Sequence, residues 1–283
     1  MGNNFNTPKE VIEGNISGGK VKGNLPLVKM ILLGIMAGAF IAIGGATSNT
    51  AVHDISNVGL ARTLAAAIFP VGLMMIVFCG GELFTGNCMM SMAVMDKQIK
   101  FLQMIRNLVV VYISNFIGAM IVDVLIVYSG NLDYTAGTLG AYTIKVAMGK
   151  VTIDPIKGIC SGILCNILVC MAILMAGSAK DIVGKVFAIF FPIFAFVIGG
   201  FEHCVANMYY IPAGILASKQ AKYADKAMEL YGYTAEQMNN LSPSGMLKNL
   251  VPVTIGNIIG GAIFVGLTYY FIHIKEWNKT TEK

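Results

Sequence analysis

The sequence predicts an all-α integral membrane protein of six transmembrane helices, arranged as two inverted three-helix repeats in which helices two and five are broken. Three observations lead to this fold class: the composition, six long apolar segments, and motifs shared between the two halves. Hydrophobic residues make up 56% and charged residues 12% of the chain, and the mean hydropathy is +0.70. Since soluble domains carry about 25% charged residues, the composition alone favours the membrane class.

Six apolar segments are long enough to cross a bilayer, which takes about 20 residues. They lie at residues 28–53, 62–95, 104–128, 156–177, 184–218 and 249–274. The second and fifth segments are too long for a single crossing, and each is interrupted near its middle. Residues 219–248 form the one sizeable polar loop, in which we expect a short helix to begin near Thr234.

The distribution of basic residues predicts the orientation of the spans. An even number of spans places both termini on one side. If that side is the cytoplasm, twelve Lys and Arg lie inside and eight lie outside, which is the bias that the positive-inside rule favours. Residues 1–27 and the tail 275–283 are therefore expected in the cytoplasm, and the protein in the cytoplasmic (inner) membrane.

The third and sixth spans resemble each other, which indicates an internal repeat. Residues 107–128 and 249–270 align without a gap, and eleven of 22 positions are identical, including Asn115 with Asn257. The interruptions of spans two and five also correspond, because each has a Gly-Gly pair, then a Glu, a polar residue and an Asn. Inverted repeats with matching broken helices are typical of transport proteins.

The two interruptions are the predicted functional site. Glu82, Glu202 and His203 fall there, and Asp123 lies within span three; such groups are costly in the bilayer interior and normally line a cavity or pair with one another. Each break also begins a half-helix, whose first N–H groups lack helical partners and carry the positive end of the helix dipole. Two such ends meeting near the midplane favour a small anion.

Bulky apolar residues flank the breaks, and two interpretations of them stand. In a pore they form hydrophobic constrictions that resist bare ions, whereas in a solid bundle they are ordinary core. The paired breaks favour the pore. These residues are Phe69, Leu73, Leu83, Phe84 and Phe196.

Several function classes are disfavoured by the residues that the chain carries. The net charge of +5 is small and spread over loop ends, so nucleic acid is not an expected partner. The six cysteines contain no C-x-x-C pair and are expected to be small buried packing residues. A single mid-membrane histidine offers neither a metal set nor a nucleophile–base pair, so neither an enzyme nor a cofactor or metal is expected.

Four motifs resemble those of the formate/nitrite transporter family, in the same order and across about residues 25 to 275. They are Cys79-Gly-Gly-Glu-Leu-Phe-Thr-Gly-Asn87, Gly162-Ile-Leu-Cys-Asn166, Gly200-Phe-Glu-His-Cys-Val-Ala-Asn-Met208 and Val251-Pro-Val-Thr-Ile-Gly-Asn257-Ile-Ile-Gly-Gly261. The resemblance implies an aquaporin-like fold, a homopentamer with one pore in each protomer, and substrates such as formate, nitrite or hydrosulfide. The first break has Gly-Gly-Glu where formate channels have a Gly-Ala-Asp type, and the chain looks closest to the hydrosulfide channel branch.

The resemblance also implies roles for individual residues. His203 matches the pore histidine of the family and Thr85 the threonine that faces it. Lys150 matches the basic residue before span four, with Asn166 and Glu202 as its polar neighbours, and the five apolar residues above match the constrictions. We expect Glu202 to point away from the anion and to pair with Lys150 or with Asn166. The implied mechanism concentrates an anion near Lys150 and binds it at His203 and Thr85, and it leaves open whether His203 also gives the anion a proton.

Three alternatives remain at this stage. The strongest is a neutral small-solute pore of the aquaporin or ammonia type, although the paired Asn-Pro-Ala loops of an aquaporin are missing from the breaks. An intramembrane enzyme and a purely structural scaffold are the others. Anion-dependent swelling of liposomes separates a channel from both of these.

Overall fold

A computed structural model describes residues 4–276 of the protein. Throughout that range the chain is helical apart from short connections and one isolated β-bridge between Phe5 and Ala179. The α-helices are α1 (Pro8–Gly23), α2 (Leu27–Val52), α3 (Val58–Ile68), α4 (Val71–Cys79), α5 (Phe84–Asn87), α6 (Ser91–Met95), α7 (Phe101–Tyr128), α8 (Tyr134–Val151), α9 (Pro155–Ser178), α10 (Ile182–Gly199), α11 (Cys204–Ser218), α12 (Ala221–Tyr231), α13 (Ala235–Met238), α14 (Pro243–Ile258) and α15 (Thr268–His273). Short 3₁₀ turns occur at Cys88–Met90 and Asn131–Asp133, and a π-helix at Ile259–Leu267 joins α14 to α15.

Six helical segments within the described range are long and apolar enough to cross a membrane. They are Leu27–Val52, Val58–Cys79, Phe101–Tyr128, Pro155–Ser178, Ile182–Gly199 and Pro243–His273. The predicted spans are confirmed in number and order. The predicted segment 62–95 comprises α3 and α4, the break and α5–α6, while 184–218 comprises α10, the break and α11.

Both predicted breaks are present, and a glycine ends the helix that precedes each one. Gly80 after α4 has φ of 88° and Gly200 after α10 has φ of 68°. Only glycine adopts these left-handed angles without steric cost. Three further residues then run without helical structure before α5 and α11 begin, so each span is two half-helices that meet inside the protein.

The inverted repeat is visible in the helix packing. Span one (α2) packs along α7, and span four (α9) packs along α14 in the same way. A Cβ atom on Gly38 would overlap the backbone of Asn115, and one on Gly260 would overlap the backbone of Ile163. Small residues thus allow close backbone contact at both interfaces.

Two segments outside the spans, which hold α1 and α8, form helices that the sequence did not predict. We call the side bearing α1 and the described end of the chain the terminal face, and the opposite side the distal face. On the terminal face, α1 packs against α6, and on the distal face α8 packs against α11. The expected helix start at Thr234 is confirmed, since Thr234 caps α13 through the N–H of Gln237.

Residues 219–248 are not the one sizeable segment outside the membrane, as the sequence suggested. The segment between α7 and α9 contains the 18-residue helix α8, and residues 1–27, expected to be a polar segment, contain α1. Both helices bury apolar side chains against the spans, including Ile12 in α1 and Ile144 in α8. Hydropathy alone missed them because these helices alternate buried apolar residues with exposed polar ones.

Candidate functional site

His203 and Thr85 meet at the centre of the protein, where the two breaks come together. Their side chains are buried, and the Nε2 atom of His203 lies 3.0 Å from the Oγ1 atom of Thr85. Thr85 lies in the first turn of α5, whereas His203 is the residue that caps α11. The pair predicted from the family motifs therefore joins the two halves of the repeat.

The hydrogen bonds around His203 define its tautomer. The N–H of Ala206 donates to Nδ1 of His203 over 3.0 Å, so Nδ1 carries no proton. Nε2 then carries the ring proton and donates it to Thr85 Oγ1. The hydroxyl proton of Thr85 remains available to a further acceptor, and a second proton on the ring would break the cap on α11.

Apolar side chains are close to this pair in the chain and in space. Towards the distal face, the rings of Phe69 and Phe196 pack edge to face with centroids 5.4 Å apart, and Phe196 lies 6.0 Å from the His203 ring. Leu83 occupies the capping position of α5 that His203 occupies in α11, and Phe84 follows it. Leu73 is buried in α4.

A large cavity opens from the distal face down to His203. Its volume is about 740 Å³, and Phe69, Phe196, Glu202 and His203 line its deep end. A smaller cavity of about 340 Å³ on the terminal face is lined by residues that include Lys22 and Gly86. The two cavities approach the polar pair from opposite faces, since His203 lines the first and Gly86, the neighbour of Thr85, lines the second.

The side chains of Asn115 and Asn257 hold the two breaks in place. Asn257 accepts from the N–H of Cys204 over 2.9 Å and donates to the carbonyls of Gly162 (2.8 Å) and Glu202 (3.0 Å). Asn115 makes the equivalent three bonds in the other half, to the N–H of Phe84 and the carbonyls of Gly34 and Glu82. The predicted alignment of these two asparagines is confirmed.

These contacts correct the expectation that the half-helix ends present free N–H groups to an anion. The first N–H of each half-helix, at Phe84 and at Cys204, already donates to an asparagine, and the N–H of Ala206 donates to His203. Side chains therefore satisfy several of the donors that a helix start leaves unpaired. The dipole of α11 still points its positive end at the site.

Asn166 connects α9 to the first break rather than to Glu202. Its Nδ2 group donates to the carbonyl of Thr85 over 3.1 Å and to the carbonyl of Asn257 over 2.6 Å. Asn166 was one of two expected partners of Glu202, and in the structure it lies behind Thr85 instead. It thereby positions the backbone that carries the Thr85 hydroxyl.

Glu202 belongs to a cluster of polar side chains beside the distal cavity, which we call the distal cluster: Lys150, Glu202, Asn207 and Asn249. Lys150 Nζ lies 2.5 Å from Glu202 Oε1, and the amide of Asn207 donates to Glu202 Oε2 over 2.7 Å. Of the two expected partners of Glu202, Lys150 is the one that pairs with it. Because Glu202 compensates the charge of Lys150, this lysine adds little net positive charge to the cavity.

A matching cluster, which sequence reasoning missed, lies on the terminal face and is called the terminal cluster: Lys22, Glu82, Asn87 and Asn107. Lys22 Nζ lies 3.0 Å from Glu82 Oε1 and 2.7 Å from Asn87 Oδ1. The signal was present in the repeat, since Lys22 and Lys150 each stand twelve residues before the glycines at 34 and 162. Lys22 belongs to the polar segment before span one, outside the two spans whose alignment reveals the repeat.

Some predicted features lie away from the site. Asp123 is fully buried in α7, lines neither of the two cavities, and its carboxyl oxygens have no hydrogen-bond partner within residues 4–276. The expectation of buried cysteines is wrong for Cys79 and Cys160, which are exposed in the protomer, and holds for the other four. Apolar sequence context did not distinguish the outer faces of the spans from their inner ones.

Comparison with known proteins places this geometry in a family. The model of the family described as "Formate/nitrite transporter" matches residues 9–271. The chain is 38% identical to "Probable formate transporter" of Methanothermobacter thermautotrophicus, over 98% of this chain and 100% of that protein. It is 35% identical to "Formate channel FocA" of Escherichia coli (strain K12), over 88% of each.

Solved structures agree with this result. The "Pentameric formate channel with formate bound" superposes with a TM-score of 0.76 at 32% identity, covering 88% of this chain and 98% of that one. An "FNT family ion channel" gives a TM-score of 0.80 at 26% identity, covering 93% and 98%. The fold is accordingly aquaporin-like, with two inverted repeats and two broken helices.

Proposed function

Since this chain belongs to the formate/nitrite transporter family, we propose that it is a channel for small monovalent anions, with His203 and Thr85 as its central binding pair. Formate is the first substrate to consider, because the relatives above are named for it. Nitrite and hydrosulfide are the other anions that the sequence suggested. The match to the hydrosulfide branch remains a prediction.

The observation that carries the proposal is the bond from His203 Nε2–H to Thr85 Oγ1, between apolar rings and at the deep end of an open cavity. With its oxygen accepting from His203, Thr85 directs its hydroxyl proton elsewhere. A small anion beside Thr85 accepts that proton in a hydrogen bond, which the neighbouring imidazole N–H strengthens. The positive end of the α11 dipole adds to the attraction.

The path runs through both cavities. An anion leaves the distal cavity between Phe69 and Phe196, reaches Thr85 and His203, and passes Leu83 and Phe84 towards the terminal cavity. The apolar residues remove water from the anion on each side of the pair, so that binding at the centre offsets part of the dehydration cost. Leu73 completes the apolar wall on the α4 side.

Proton transfer from His203 is the step that decides between ion conduction and passage of the neutral acid. For this step His203 must first take up a second proton at Nδ1 from the solvent of the distal cavity, which breaks the bond from the N–H of Ala206. The Nε2 proton of the cationic ring then moves to Thr85 Oγ1 while the Thr85 hydroxyl proton moves to the anion, and the ring becomes neutral again. The neutral acid then crosses the second apolar wall more easily than the anion.

The proposed assembly and location follow the relatives. The pentameric neighbour supports a homopentamer with one pore in each protomer, and the exposed apolar faces of the six spans supply surfaces for subunit and lipid contact. We place the terminal face in the cytoplasm and the distal face outside the cytoplasmic membrane, as the distribution of basic residues favours.

Anion flux into proteoliposomes tests the proposal. We expect formate to enter vesicles that contain the wild-type protein, and Thr85→Val and His203→Ala each to lower the rate at least about tenfold, since each removes a hydrogen bond at the centre. His273→Ala is the control, because that histidine lies near the end of α15, away from both cavities. Wild-type flux of water or glycerol without anion flux would instead support the neutral-solute alternative.

Parallel measurements with nitrite and hydrosulfide, across a pH series, rank the substrates. A flux that rises with the concentration of protons indicates passage as the neutral acid, and a flux that follows the anion concentration alone indicates ion conduction. If His203→Ala conducts with unchanged rate and pH dependence, the role assigned to this residue is wrong.

A further inference from the structure

Two basic side chains near the mouth of the distal cavity have no acidic partner, in contrast to the lysines of the two clusters. Arg62, at the start of span two, and Lys145, on α8, both line the cavity and are exposed. Neither forms an ion pair in the part of the chain that the structure describes. Lys150, the basic residue that the sequence singled out, is compensated by Glu202.

Each of the two side chains is held by contacts that leave its charge uncompensated. The Nη1 group of Arg62 donates to the carbonyl of Ile198 over 3.2 Å, at the C-terminal end of α10, which leaves most of the five guanidinium donors for other partners. Lys145 Nζ lies 4.7 Å from the ring centroid of Tyr231 and 5.8 Å from that of Tyr142. Aromatic faces attract an ammonium group without neutralising it.

The two cations face the same space. Tyr142 also lines the cavity, and Arg62 is close enough to act on its hydroxyl: the pKa of Tyr142 is raised by burial, and the positive charge of Arg62 opposes that rise. Asp54 is the acidic residue on the cavity wall that remains once the Lys150–Glu202 pair is set aside. The wall therefore keeps an excess of one positive charge.

The terminal cavity differs in this respect. Its charged lining residues are Glu10, Lys22 and Lys185, and Lys22 is paired with Glu82. Glu10 and Lys185 then offset each other, so this wall carries no excess. The repeat is symmetric at the two clusters and asymmetric at the two mouths.

From this difference we propose that Arg62 and Lys145 form an outer binding site, which captures small monovalent anions from the distal side before they reach His203. The site rests on the proposed function, and it adds the residues that set the apparent affinity from that side. A cavity with low-dielectric walls and an excess of positive charge raises the local concentration of anions, and added salt weakens this effect by screening. The maximal rate of transport is still set by His203 and Thr85.

Initial rates of formate entry test the site, with proteoliposomes in which the distal face is outward and the concentration is varied. We expect the double variant Arg62→Gln/Lys145→Gln to raise the half-saturating formate concentration about threefold to tenfold at low ionic strength. Its half-saturating concentration should also depend less on added potassium gluconate, and its saturated rate should equal that of the wild type. Arg62→Lys keeps the positive charge, and it should therefore retain most of the formate affinity that Arg62→Gln loses. Lys157→Gln is the matched control, because Lys157 is exposed and does not line the cavity.

The outcomes separate this site from the central one. If the double variant and Lys157→Gln have the same half-saturating concentration and the same salt dependence, the outer site is refuted while the channel stands. A wild-type protein that passes no anion would refute the proposed function itself. As a readout without transport, the line of ¹³C-formate should broaden with detergent-solubilised wild-type protein and less with the double variant; equal broadening counts against the site.

Discussion

Asn257 offers the sharpest test of how the broken helices are held. Asn257→Leu keeps the approximate size of the side chain and removes every hydrogen bond that it makes. The N–H of Cys204 and the carbonyls of Gly162 and Glu202 then lose their partner in a buried region. The variant therefore tests whether this one amide fixes the second break.

The expected loss of stability follows from the three backbone groups. A buried donor or acceptor left without a partner costs about 1–3 kcal/mol. The carbonyl of Gly162 costs least, since it lies within α9, where it is also an acceptor of the helix. The total is roughly 3–6 kcal/mol, a large part of the 5–15 kcal/mol that stabilises a typical protein.

Equilibrium unfolding in mixed detergent–SDS micelles measures this change, and formate flux is measured on the same samples. Asn240→Leu is the matched control, because the Asn240 amide donates to the carbonyl of Gln237 at an exposed position; we expect it to change stability by about 0.5 kcal/mol or less. Suppose that the free energy of unfolding of Asn257→Leu lies within 1 kcal/mol of the wild-type value, which is roughly the error of such a comparison, and that the variant conducts formate normally. The Asn257 amide then does not hold the break.

Three further predictions concern the distal cluster, the distal surface and the first helix interface. Glu202→Gln leaves the half-buried Lys150 ammonium without its carboxylate and should lower the free energy of unfolding by about 3 kcal/mol in the same assay. The double variant Glu202→Gln/Lys150→Met should recover most of this loss, and a double variant as unstable as the single one would contradict the reasoning. At the distal surface, the hydrogen bond from Lys222 lowers the pKa of Asp133 below its usual 3.8, so the stability that this pair contributes is present at neutral pH and is lost as the pH falls below about 4. The difference in melting temperature between the wild type and Asp133→Asn should therefore vanish at low pH. A difference that persists there would show that the pairing is not its cause. Gly38→Ala places a methyl group into the facing backbone of α7 and should destabilise by about 1–3 kcal/mol, while a neutral effect would mean that the helices separate without cost.

The amino-acid sequence determined the architecture of this protein. Apolar segments of bilayer length have no other stable arrangement than spanning helices, because the backbone must satisfy its own hydrogen bonds there. The Gly-Gly pairs that mark the breaks in the sequence contain Gly80 and Gly200, which have the positive φ angles at the ends of α4 and α10. Asn115 and Asn257 could be matched from the sequence, because residues 107–128 and 249–270 align without a gap and place the two asparagines at the same position.

Tertiary structure decided which polar groups are paired and which face open space. Lys150 and Lys145 are both lysines near the end of α8, yet one lies against Glu202 and the other against aromatic rings. That difference depends on distances between segments far apart in the chain, which hydropathy and spacing do not contain. The pairing of Lys22 with Glu82 across 60 residues was hidden for the same reason.

The donors at the half-helix starts show the same division. The sequence predicts that two helices begin inside the membrane, and elementary helix geometry then predicts unpaired N–H groups at those starts. Only the packed structure reveals that Asn115, Asn257 and His203 take up three of these groups. The chain fixes which backbone groups need partners, and the folded arrangement of distant spans decides which side chains supply them, because a hydrogen bond requires its two atoms to lie within about 3 Å of each other.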